Sequence, residues 1–135
     1  MITSVEQWDG SRWPNFNPEE FQCKSSGELK MSEALLDFLQ AYRNVLGKGV
    51  SINSGFRCPD HNNSVSSTGM EGPHTTGLAV DIGTNTQTQY KLIRFAMNYN
   101  PQAMGIGVAK TFTHIDFLTT DNGDKYAVRP NVWKY

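Results

Sequence analysis

Histidine and cysteine are scarce in this 135-residue chain: His61, His74 and His114 are its only imidazoles, Cys23 and Cys58 its only thiols. The two cysteines lie far apart with no CxxC pairing, and in a chain read as having no signal peptide they are expected to stay reduced. Charge of one sign is also lacking, since the formal net charge is -1 and the lysines and arginines are scattered. That balance excludes a nucleic-acid or anionic-membrane partner recognised through charge alone. No apolar run approaches the eighteen or so residues of a membrane span. The opening MITSVEQWDGSRWPNF lacks a basic start followed by an apolar stretch, so it reads as no secretory signal. Internal repeats, low-complexity tracts and Gly/Ser linkers are absent too. What remains is an ordered composition, 38% hydrophobic and 11% aromatic, in a chain long enough for one core. The expectation is a single domain over residues 1–135, with residues 1–16 as an irregular arm packing its aromatics, and a monomer.

The elements follow from periodicity and punctuation. Asn17 before Pro18, Glu19 and Glu20 has the form of a capped helix start. In MSEALLDFLQAYRNVLGKG, residues Leu35, Leu36, Leu39, Tyr42 and Val45 recur at helical spacing, and Gly47 supplies a stop. Val50, Ile52 and Ser54 alternate as a strand, and CPDHNNSVSSTGMEG is a polar loop with one helical turn near Asp60. GLAVDIG is a buried strand, and TQTQYKLIRFAMNYN a second helix presenting Tyr90, Ile93 and Met97 on one face. MGIGVAKTFTHIDFLTT is a β-hairpin turning near Ala109 and Lys110, and the chain closes with a turn and an aromatic end. Helices preceding and interrupting a mainly antiparallel set of strands make the fold class α+β.

Within this frame, His74 and Asp81 open and occupy a segment that otherwise holds small or apolar residues. On a strand, Ala79, Asp81 and Gly83 share one face while Val80 and Ile82 take the other. His114 and Asp116 likewise share a face with Phe112, opposite Thr113, Ile115 and Phe117. A catalytic zinc site uses three nitrogen, sulfur or oxygen ligands and leaves a position for water, and His74, Asp81 and His114 would make such a set. The plainer readings are an edge aspartate and hydrogen-bonded histidines.

Read end to end, the chain resembles the M15 peptidases, the family of zinc D-Ala-D-Ala carboxypeptidases and endolysin peptidases, and is most similar to its compact branch that includes bacteriophage lysins. The resemblance runs in order through EEFQCK, LLDFLQAYRNVLGKG, SINSGFRCPDHN, HTTGLAVDI, GIGV, THIDF and RPNVW, from Glu19 to Trp133. It implies a small antiparallel sheet with flanking helices, of the hedgehog and D-Ala-D-Ala peptidase kind. It implies Zn2+ held by His74, Asp81 and His114, with Arg57 gripping a carboxylate or polar group of a peptidoglycan stem peptide. A guanidinium fork suits that task because it can hold a carboxylate with two bonds. Asn62 or Asn63 would support the arginine loop, and His61 is read as a non-ligand. The role implied is lysis: synthesis in a host cytoplasm, then action on the wall from the periplasm after release, with no stable membrane association.

Two features depart from the family pattern. Many members carry an acid or a histidine two or three residues before the last zinc histidine, where this chain has Phe112 and Thr111. Asp116 is then the candidate general base, with an orienting role toward His114 as the alternative and Glu71 as a lesser candidate. The serine often found two residues before the first histidine is here Gly72. The missing acid keeps open a zinc-stabilised wall-binding module without catalysis, or a virion-associated protein.

Overall fold

A computed structural model describes residues 1–99, 104–119 and 126–135. Helix α1 spans Glu33–Leu46, α2 Pro59–Val65 and α3 Thr86–Tyr99, and the strands are β1 Ser51–Ser54, β2 Ala79–Gly83, β3 Gly105–Val108, β4 Phe112–Asp116 and β5 Asn131–Lys134. The strands form one sheet in the order β1-β2-β4-β3-β5. Every pairing is antiparallel except β3 with β5. This is an α+β fold, as the sequence predicts, with the hairpin β3–β4 where it is expected.

The aromatic end is more than a tail, because Asn131–Lys134 adds a parallel strand beside β3. Residues 120–125 of the expected closing turn, and 100–103 after the second helix, lie outside the described residues. The single turn near Asp60 is a longer helix, α2, with Pro59 at its first position, where a missing N–H costs nothing. The expected helix at Asn17 is a 3-10 turn, Pro18–Phe21, and Glu20 reaches back to the Asn17 N–H at 2.7 Å.

The two faces of the sheet differ in chemistry. Val80, Ile82, Ile106 and Ile115 point to one side and join Leu35, Leu36, Phe38, Leu39, Leu92 and Ala96 in the core. Helix α1 starts where the Ser32 hydroxyl accepts from the Leu35 N–H and stops at Gly47, whose left-handed φ of 73° suits a residue without Cβ. In its last turn Leu46 packs against the core while Val45 is exposed instead of buried, and Phe38 fills the core among Phe95, Tyr99 and Phe117. Helix α3 is rotated from the expected face. Leu92 and Ala96 are fully buried, whereas Tyr90 and Met97 are 66% and 50% exposed. Both sets satisfy helical spacing, and the core selects the one that reaches α1.

The N-terminal arm is tied in at both ends. Ile2 and Met31 exchange backbone hydrogen bonds of 2.8 and 2.9 Å. Trp8, Trp13, Phe16 and Phe21 stack as an aromatic cluster against the core. Cys23 and Cys58 are free, buried thiols whose sulfurs lie 3.2 Å apart.

Candidate metal centre and its cavity

The other face of the sheet carries the polar side chains. In register across it, Asp81 on β2 faces His114 on β4, His114 faces Gly107 on β3, and Gly107 faces Trp133 on β5. One row further along lie Ala79, Asp116, Gly105 and Asn131. His74 comes from outside the sheet, on the 3-10 turn Pro73–Thr76. Gly77, with φ of 79°, ends that turn and leads the chain into β2. A Cβ there would stand 2.7 Å from the Lys30 carbonyl oxygen.

Three ligand atoms converge. The His74 ring binds the Gly55 carbonyl through Nδ1 at 2.8 Å, which turns Nε2 toward Asp81 Oδ1 at 3.3 Å. His114 places Nδ1 at 3.1 Å from the same oxygen. His74, Asp81 and His114 are all buried and each offers a ligand atom within 4.8 Å of the others. Zinc bonds of about 2.0–2.1 Å in a tetrahedron set neighbouring ligand atoms roughly 3.3 Å apart. The two measured separations fit that span, and the donor set of two imidazoles and a carboxylate suits zinc. Burial pushes the Asp81 carboxyl up, but hydrogen bonds from His114 and His74 outweigh it and hold the group well below the ordinary carboxylate range.

Behind His114 lies a second carboxylate. His114 Nε2 is 2.8 Å from Asp116 Oδ2, and Arg129 forks onto Asp116 with bonds of 2.8 and 2.7 Å. The Leu118 N–H adds a third donor at 3.3 Å. Burial raises the Asp116 carboxyl, yet the Arg129 and His114 hydrogen bonds win and lower it. For His114 burial pulls downward, and the hydrogen bonds to Asp116 and Asp81 reverse this, raising it above its ordinary value. Asp116 is 0% exposed and does not line the cavity. The sequence-based expectation that it takes a proton from water does not suit this placement. The geometry matches the alternative, a carboxylate that fixes the ring and tautomer of a ligand histidine.

Strand β3 makes room for this arrangement. A Cβ on Gly105 would lie 2.6 Å from Asp116 Oδ1 and would collide with Arg129, while one on Gly107 would lie 2.8 Å from the Trp133 indole nitrogen. The GIG pattern therefore strips side chains from the polar face of β3, so that Arg129 and Trp133 can lie across it.

The three-ligand cluster opens into a cavity of about 790 Å³, whose walls include Arg57, Asn62, Thr68, Phe112, Trp133 and Tyr135. Arg57 donates to Ser54 Oγ at 3.1 Å, Asn62 Oδ1 at 3.3 Å and Asp81 Oδ2 at 3.3 Å. Asn62, not Asn63, supports the arginine: it is buried, and its amide also donates to Thr68 Oγ1 and the Gly69 carbonyl. Asn63 and Glu71 are exposed, and neither they nor His61 line the cavity. At Gly72 a side chain would meet the Asn62 amide at 2.9 Å and collide with Thr68. Thr68 thus fills the space a serine there would need. The residues that the sequence reading passed over are Arg129, Trp133 and Tyr135. Their signal was the alternation Asn131, Trp133, Tyr135, a period of two in a segment read as a turn and an aromatic end.

A family model described as Peptidase M15 matches residues 14–116. No curated protein and no solved structure matches the chain. The match covers Arg57, His74, Asp81, His114 and Asp116, and stops before β5 and its aromatic wall. With the matched segment holding every residue of the converging cluster, the chain belongs to the M15 peptidase family.

Proposed function

We propose that this protein is a zinc-dependent peptidase that hydrolyses peptide bonds of peptidoglycan stem peptides, acting as a bacteriophage lysin on the host wall. The observation that carries the reading is the convergence of His74 Nε2, Asp81 Oδ1 and His114 Nδ1 beside an open cavity walled by Arg57. Zinc bound there would polarise a scissile carbonyl and lower the pKa of its bound water to about 7. The chain's own groups do the rest. The Gly55 carbonyl and Asp116 each take a ring N–H, which leaves the opposite nitrogens of His74 and His114 for the metal. Arg57, braced by Asn62 and Ser54, presents positive charge at the cavity wall for a substrate carboxylate.

The test is digestion of a soluble muramoyl pentapeptide, with fragments identified by mass spectrometry. Fragments are expected from the zinc-loaded protein, not from chelated protein or from His74→Ala, and zinc should restore the chelated sample. Cleavage that persists in chelated protein would refute the metal mechanism. A second reading keeps support from one observation: among the described residues lining the cavity, the only carboxylate is the ligand Asp81. A zinc-stabilised wall-binding protein would sediment with purified walls and release no fragments at all.

A further inference from the structure

We propose that Tyr135 is the hydrogen-bond donor to the scissile carbonyl oxygen in this site, an inference that rests on the peptidase reading above. Asn131, Trp133 and Tyr135 face the cavity, while the intervening Val132 does not line it. The Tyr135 N–H binds the Val108 carbonyl at 3.0 Å, which carries the β3–β5 pairing one residue past the strand's end. Gly107 then lets the ring lie inward. A Cβ at Gly107 would stand 2.9 Å from Tyr135 Cε2 and 2.8 Å from the Trp133 indole nitrogen. Gly107 is the register partner of His114, so both aromatic groups reach over the strand adjoining the metal cluster. Phe112, 5.2 Å away between ring centres, flanks the phenol on the other side.

Among the phenols and guanidinium groups of the wall, this one is left over. Arg57, held by Asp81, Ser54 and Asn62, is assigned above to a substrate carboxylate, and Arg129 is held by Asp116 and the Ala127 carbonyl. The other cavity phenol, Tyr126, donates to the Gly72 carbonyl at 3.4 Å. The Tyr135 proton has no protein acceptor among the described residues. Burial pushes the Tyr135 phenol above its ordinary value, against the pull of the Trp133 N–H, and the charges of Asp81, Arg57 and Asp116 all act on it. It is therefore protonated at neutral pH and serves as a donor, not a base. During hydrolysis the oxygen of water bonds to the carbonyl carbon and the carbonyl π pair moves onto its oxygen. Tyr135 donates to that oxygen and keeps its own proton. One water proton ends on the departing amine as the C–N bond breaks, and the phenol is unchanged.

Tyr135→Phe keeps the ring and removes only a proton that no protein group accepts among the described residues. The residue as a whole, though its phenol is partly enclosed, is 67% exposed, so folding should stay intact. On the muramoyl pentapeptide, kcat is expected to fall by about 10²-fold with KM little changed, since the donor acts only as charge develops. Zinc content, measured by atomic emission, should equal that of wild type. A Tyr135→Phe enzyme with wild-type kcat would overturn the proposal and leave the peptidase reading standing, as would a rise in KM alone. A wild-type protein that cleaves nothing would overturn both.

Discussion

His114 stands between two aspartates, each backed by an arginine, and the two sides have come out differently. Toward β2, Asp81 meets Arg57 through one bond of 3.3 Å, with side chains 10% and 17% exposed. Toward β3, Asp116 meets Arg129 through two bonds of 2.8 and 2.7 Å, sealed from solvent. The contrast lies in which oxygens are left over. Arg57 takes Asp81 Oδ2 and leaves Oδ1 to the two histidine nitrogens, the geometry of a metal ligand. Arg129 spans both oxygens of Asp116, so the same residue type becomes a fixed counter-charge that holds a ring. Identical chemistry thus divides into a working side and a supporting side through burial and bond number.

The largest expected effect separates the two arginines. Arg129→Met strands a buried carboxylate, and breaking one partner of a buried pair costs about 3–5 kcal/mol. Arg57→Met leaves Asp81 beside an open cavity, with an expected loss of about 1 kcal/mol. Urea midpoints of the zinc-free variants check this, because bound zinc would add its own stabilisation. Equal losses would erase the proposed distinction. Pairing Arg129→Met with Asp116→Asn should recover part of the stability, as the uncompensated charge is then gone.

How much of this was legible without coordinates depends on where each partner comes from. Asp81 and His114 stood out because polar residues were set into apolar strands whose period of two assigned their faces, and His74 because it opens the segment that leads into one of them. The same period placed Asp116 beside His114, but Arg129, which decides what Asp116 does, arrives from thirteen residues later across the sheet. No local pattern announces such a partner. Strand β5 carried a weak signal, the alternation Asn131, Trp133, Tyr135, but four residues are too few to outweigh a turn reading without the pairing to β3. The face of α3 was read about a third of a turn away: Tyr90, Ile93 and Met97 keep helical spacing as well as Leu92 and Ala96 do, and of the expected set only Ile93 packs against the core. Contact with α1, invisible in the helix itself, broke that tie. Val45 keeps helical spacing but falls outside the buried stripe, which the last turn continues through Leu46.

The next effect is on the metal. Removing a ligand with Asp81→Ala should abolish stoichiometric zinc binding. Asp116→Asn should weaken it by about 10–100-fold, the usual consequence of losing a hydrogen-bonded carboxylate behind a ligand histidine. Competition against a chromophoric chelator measures both. If Asp116→Asn bound zinc as tightly as wild type, Asp116 would be only a folding element, and the supporting side of the comparison would lose its tie to function.

The smallest effect is expected at a third pair with the same fork and none of the burial. Arg12 binds Asp37 with bonds of 2.8 and 2.7 Å, yet the side chains are 42% and 38% exposed. Water screens this pair, and the Trp13 indole still donates to Asp37 at 2.9 Å to hold the arm on α1. The Arg12 hydrogen bond is the main reason that the Asp37 carboxyl lies below its ordinary value. A depressed carboxyl contributes stability above its unfolded pKa, near 3.9, and that contribution is lost as pH falls through the lower folded value. The difference in urea midpoint between wild type and Arg12→Met should therefore be small at pH 7, shrink in 1 M salt as the Debye length drops to about 3 Å, and fade in acid. The Arg129→Met difference should resist the salt, because no solvent ion reaches Asp116. A salt response shared by both pairs would mean that the fork geometry, not burial, sets the strength of these arginine–aspartate contacts.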